Sequence, residues 1–142
     1  MANAGRASIT GTINPNNIGH WKRYPQEGRE FATSLLSLPD PPDGLFCAND
    51  HTAISAIQVA KQTNLNIPGD LSVIGFSNSP ASTIIEPSLT TIDDHAFEMG
   101  QSAARLLIRQ IENKDKNVVS ETVVIRNDLI LRNSTKKIEA IH

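Results

Sequence analysis

An α/β fold built on parallel strands is predicted by three features of the chain. Short apolar segments alternate with helical patterns rather than with tight hairpin turns. The strand Gly44-Leu-Phe-Cys-Ala48 carries no polar residue, as expected where helices cover both faces of a sheet. It stops on Asn49-Asp50 where a helix begins, and the carboxyl ends of such strands are the usual place for a small polar ligand.

The elements follow in order. Residues 1–27 are rich in Gly, Asn and Pro and irregular, with Ala7-Ser-Ile-Thr-Gly-Thr-Ile13 the one strand candidate and Asn14–Gly19 turn chemistry. Gly28–Leu38 reads as a helix with Phe31, Ala32, Leu35 and Leu36 on one face, ended by Pro39. After the turn at Pro39–Gly44 comes the first strand. Asp50 is the expected N-cap of the next helix, whose stripe is Ala53, Ile54, Ile57 and Ala60. Asn64 suits a left-handed C-terminal position, and Pro68 prevents resumption. Leu71–Gly75 is the second strand. Ser77–Ser88 is a loop with one short helical turn, and Leu89–Ile92 is a short crossing segment. His95–Ile111 is the longest helix, with Phe97, Gly100, Ala104, Leu107, Ile108 and Ile111 along one face. Asn113–Asn117 is a charged turn, Glu121–Ile125 and Leu129–Leu131 are β-rich, and the tail from Asn133 is expected to fray.

Composition removes several function classes. The chain has 142 residues, 39% apolar and 20% charged, so it is one globular domain or less. A formal charge of −2 and dispersed Lys and Arg give no basic face for nucleic-acid backbones. A single cysteine, Cys47, excludes an internal disulfide framework and fits a reducing compartment; its apolar strand makes it a packing residue. No apolar run approaches membrane-spanning length, and the first residues lack a secretion signal's apolar core. A cytoplasmic location without membrane contact is therefore expected.

Catalytic chemistry finds little footing. His20, His51, His95 and His142 show no metal-ligand spacing. Asp93-Asp94-His95 are adjacent and should point in different directions. Ser77 and Ser79 lie outside any nucleophile elbow, and no glycine-rich phosphate loop is present. Neither an enzyme nor a cofactor is expected. Asn49 is different: its amide can donate to and accept from a ligand hydroxyl.

Three pieces in order, PDGLFCAND at 42–50, IPGDLSVIGF at 67–76 and PSLTTI at 87–92, resemble the effector-binding core of the lac-repressor (LacI/GalR) family of bacterial transcription regulators. The resemblance runs from about Gly28 to about Thr135. It implies a partial type I periplasmic-binding-protein-like fold, an α/β parallel sheet flanked by helices, with a flavodoxin-like subdomain. On that reading residues 1–27 stand apart and 28–135 form part of an effector-binding and dimerisation domain. Residues 28–92 supply the C-terminal subdomain, 93–113 a crossing helix, 118–132 returning strands, and 136–142 a tail.

The same resemblance implies site residues. Asn49 matches a position facing the effector cleft, while Asp50 is read as a structural cap. Ser77 stands where the family usually has an Asp that receives hydrogen bonds from sugars or purines. A hydroxyl accepts more weakly than a carboxylate, by roughly a factor of two, so the ligand is expected to differ, the site to be degraded, or Asn78 to take over. Asp94 falls where relatives carry a ligand-facing Gln; an acid favoured by the helix dipole explains it equally well. Trp21 and Tyr24 lie near the family's stacking aromatic, with surface packing the default. Thr90, Thr91 and Ile92 correspond to a hinge. Ile54, Ile57, Gln58, Ile84 and Ile85 lie on surfaces that form the family's homodimer.

The expected partners are a sugar-like effector and a second copy, with DNA reached only through a helix-turn-helix headpiece that this chain lacks. The apolar stripe of the long helix would then miss its normal cover. A sugar-binding protein of the periplasmic transport type shares the fold and is the alternative.

Overall fold

The computed structural model describes residues 25–112 and 120–136, with side chains from Gly28 onward. The strand expected at 7–13, the turns at 14–19 and 113–117, the aromatics Trp21 and Tyr24, and residues 137–142 lie outside them. The elements run α1 (Pro25–Leu36), β1 (Gly44–Phe46), α2 (Asp50–Gln62), β2 (Ser72–Phe76), α3 (Ala81–Ile84), β3 (Thr90–Asp93), α4 (Ala96–Glu112) and β4 (Asp128–Ile130). They form one four-stranded sheet in the order β1-β2-β3-β4.

β1, β2 and β3 are parallel, with Phe46 opposite Ile74 and Ile74 opposite Thr90. β4 returns antiparallel to β3, setting Leu129 opposite Ile92. The sheet is therefore mixed rather than wholly parallel, because the chain turns back after α4. Glu121–Ile125, expected to be β-rich, forms no strand.

α2 organises the core. Its inward stripe Ala53, Ile57 and Ala60 is fully buried against Cys47, Leu71, Val73 and Leu89. A second stripe, Ala56 and Val59, packs on Ala32 of α1. Gly28 permits this approach, since a Cβ there would lie 3.3 Å from the Thr52 methyl. The helix ends as expected: Asn64 is left-handed at φ 59°, Asn64 N donates to the Lys61 carbonyl at 3.2 Å, and Leu65 N to that of Ala60 at 2.9 Å.

The described helices α1 and α2 cover one sheet face, and the other is less protected. Phe46 is 59% exposed, contrary to the expectation that helices cover both faces. α4 buries none of its residues, and Phe97 (80% exposed), Leu107, Ile108 and Ile111 lie open.

The segment after β4 does not fray. Ser134 is fully buried; Val73 N donates to its carbonyl at 2.8 Å and its hydroxyl donates to the Val73 carbonyl at 2.6 Å. Thr90 N donates to the same hydroxyl at 2.8 Å. Residues 133–135 thus fill the space beside β2 that β3 leaves open at its amino end.

Candidate ligand-binding site

Parallel register brings the predicted residues to one edge. Phe46, Ile74 and Thr90 are aligned, so Asn49, Ser77 and Asp93, each three residues further on, reach the same level at the strand carboxyl ends. Asp94 follows immediately. Open α/β sheets bind ligands in this position.

Asn49 and Asp50 divide their work differently from the expectation. Asn49 is the N-cap of α2: its backbone is extended (φ −158°, ψ 161°) and its Oδ1 accepts from Thr52 N at 2.9 Å. Its Nδ2 has no hydrogen-bond partner among the described residues and faces outward. Asp50, read as the cap, is the first helical residue and is fully buried. Its Oδ1 accepts from the Thr91 hydroxyl at 2.5 Å and its Oδ2 from Ser79 N at 2.6 Å. These short, charge-assisted bonds tie the start of α2 to β3 and to the loop after β2. Gly75 lies beneath this knot; a Cβ there would collide with Asp50 Oδ1 and come within 2.9 Å of the Leu89 side chain.

The loop after β2 has two consecutive residues at positive φ, Ser77 at 96° and Asn78 at 42°. Ser77 N donates to the Ile92 carbonyl at 2.8 Å, and its side chain is exposed. Asn78, expected to take over ligand contact, is engaged by the framework at both ends of its amide. Its Nδ2 donates to Asp93 Oδ2 at 2.9 Å and its Oδ1 accepts from Arg132 at 2.7 Å. Arg132 also donates to the Ser82 hydroxyl at 2.9 Å and to the Leu89 carbonyl at 2.7 Å. Sequence reasoning missed this clamp. Its signal was a cation placed directly after the β-rich Leu129–Leu131 stretch.

Asp93 and His95 fold onto each other across the turn into α4. His95, at φ 49°, donates its backbone N–H to Asp93 Oδ1 at 2.9 Å, and its Nε2 lies 3.0 Å from Asp128 Oδ2. That backbone bond, with the Asn78 amide second, holds the Asp93 carboxyl below the usual carboxylate range. Asp94 points elsewhere. It lines an open depression of about 300 Å³ with Phe76, Met99, Val123, Ile125 and Asn127.

The other predicted residues are spread out. Thr90, Thr91 and Ile92 are strand residues in β3, and both threonines are fully buried. Of the interface set, Ile57 is fully buried in this chain's own core, because it lies on the sheet-facing stripe of α2, and so presents no surface to a partner. Ile54 and Ile85 are half-buried against the same core. Gln58 accepts from Arg29 at 2.8 Å, and Ile84 is 82% exposed.

The sequence profile of the periplasmic binding protein-like domain family matches residues 7–135. The chain belongs to this family. The match begins inside the segment that the sequence reading had set apart at 1–27. Within the periplasmic binding protein-like family, the chain is 40% identical over 114 residues to the HTH-type transcriptional repressor PurR of Mannheimia succiniciproducens, covering 80% of this chain and 34% of that protein. It is 35% identical over 124 residues to the repressor CytR of Escherichia coli, covering 87% and 36%. A LacI family regulator from Enterococcus faecium, solved with bound ribose, superposes with a TM-score of 0.71 at 30% identity, covering 83% of this chain and 42% of that one. The chain spans about a third of the length of its repressor relatives. No helix among the described residues is long and apolar enough to cross a membrane.

Proposed function

We propose that this chain is the effector-binding portion of a LacI-family transcriptional repressor. A small molecule, sugar-like in class, docks at the carboxyl edge of β1–β3 and biases the repressor between two states by binding them unequally. The observation that supports the reading is the parallel register, which sets Asn49, Ser77 and Asp93 at one level of that edge with Asp94 next in the chain. Asn49 Nδ2 donates to the ligand, the Ser77 hydroxyl contacts it weakly, and Asp94 accepts from it. Asn78 and Asp93 orient the edge. Thr90–Ile92 lead the chain across the hinge. DNA is read by a headpiece outside this chain, and a second copy associates through the exposed parts of α2 and α3, Ile54, Gln58, Ile84 and Ile85. The protein works in the cytoplasm and catalyses nothing. The repressor relatives favour this reading over a transport-type binding protein.

The test separates Asn49's two roles. Asn49→Asp keeps an acceptor for Thr52 N but removes the outward donor. A thermal-shift screen of sugars, sugar phosphates and nucleobases should yield a ligand whose affinity falls about tenfold in Asn49→Asp, with α2 stability unchanged. Equal affinity in the two proteins would remove Asn49 from the site.

A further inference from the structure

The long helix α4 meets the rest of the described chain with one side and turns its apolar side outward. On the inner side Ser102 and Leu106 are half-buried, and Arg109 donates to Glu121 at 3.2 Å. On the opposite side Phe97, Leu107, Ile108 and Ile111 are each more than half exposed, with Gly100, Ala103 and Ala104 open among them. Residues 97, 100, 104, 107 and 111 follow alternating intervals of three and four, the spacing that keeps one seam against a partner helix. Gly100 points the same way. A Cβ there would meet nothing within 4 Å, so no described neighbour requires the glycine, although glycine weakens a helix interior.

We propose that α4 pairs antiparallel with α4 of a second copy of this chain. The small residues Gly100, Ala103 and Ala104 occupy the first half of the seam, and Leu107, Ile108 and Ile111 the second. A two-fold axis passing between Arg105 and Leu106 sets Gly100 opposite Ile111, Ala103 opposite Ile108 and Ala104 opposite Leu107. Every small position then receives a large one, whereas a parallel pair sets small on small and leaves holes. The contact is isologous and closes with two copies. Gln101, Ala103 and Gln110 flank the seam without charge, so identical copies meet no like charge there. So short a seam buries less than the roughly 800 Å² per partner of a standard interface. The pair is therefore weak, with a dissociation constant on the order of tens of micromolar, and the stripe stands open in dilute solution.

Two single-cysteine forms of the full chain, Ala104→Cys and Leu107→Cys, test the register. α4 buries none of its residues, so neither change disturbs the fold, and the buried Cys47 stays out of the reaction. The two are mixed in equal amounts above the dissociation constant and oxidised with added diamide. The mixed disulfide should exceed either self-disulfide at least tenfold, because only position 104 against 107 brings Cα atoms within the bond's reach of about 4.4–6.8 Å. A statistical mixture, or self-disulfides in excess, overturns the antiparallel pairing. Cysteines that stay reduced overturn it too: one protected from a maleimide is covered by its own polypeptide, and one labelled freely is covered by nothing. Association through α2 and α3 raises the mass without favouring the mixed disulfide, so the two contacts are read apart.

Discussion

Asp50 holds more of this structure than the residue before it, although the two are chemically similar. Both of its oxygens are engaged from other elements, while Asn49 serves only its own helix. Asp50→Ala leaves the Ser79 amide and Thr91 hydroxyl unpaired and should cost about 2–3 kcal/mol in urea denaturation. Asn49→Ala loses a cap and should cost about 1 kcal/mol. A reversed order would refute the division of roles. Gly75→Ala drives a methyl into the same carboxylate and should cost about 1–3 kcal/mol through overpacking.

The exchange between Asn49 and Asp50 also marks where reading a sequence stops. Asn and Asp cap equally well, so composition could not place the helix start to one residue. That single step decides which side chain turns inward. Cys47 was legible, because an apolar strand implies burial. Burial pushes its thiol up to about 11. Its folded value therefore lies above the ordinary one of 9.0; the stabilisation is complete below about pH 9 and is lost as pH rises toward 11. A thiol reagent at pH 8 should leave the folded protein unlabelled and label it promptly in urea.

Among the elements, the helices and the first two parallel strands were readable from periodicity and turn residues, while β3 was read only as a crossing segment at Leu89–Ile92. β4's direction and the anchoring of 132–135 were not, because both depend on partners some thirty-five to sixty residues away. Arg132 shows the cost of that blindness. It joins the loop after β2, α3 and the residue before β3 with three bonds. Arg132→Ala should lower stability by about 2–3 kcal/mol, and Arg132→Lys should recover only part of it, because an ammonium cannot span the fork. Chemical denaturation of both variants checks this.

For the whole molecule, acid stability follows from two carboxylates held below their usual range. Asp93 is lowered by the His95 backbone and Asn78, and Asp70 by the backbone and side chain of Asn66. A depressed acid stabilises the fold above its ordinary value of 3.8 and loses that contribution as pH falls through the folded value. Asp93→Asn should flatten the stability profile below about pH 4, measured by urea midpoints across the acid range. At the same scale, the open apolar residues of α4 should bind a hydrophobic dye, and Phe97→Ser should reduce its fluorescence.

Residue 134 lies between strands that the ribosome has made long before. Val73 and Thr90 wait for it with unpaired amides, so the middle of the sheet is unfinished until synthesis has passed that point. A nascent chain stopped after Leu131 can lay α2 on β1 and β2, yet it lacks the Arg132 clamp and the Ser134 plug. Completion therefore arrives with Arg132 and Ser134 rather than growing strand by strand.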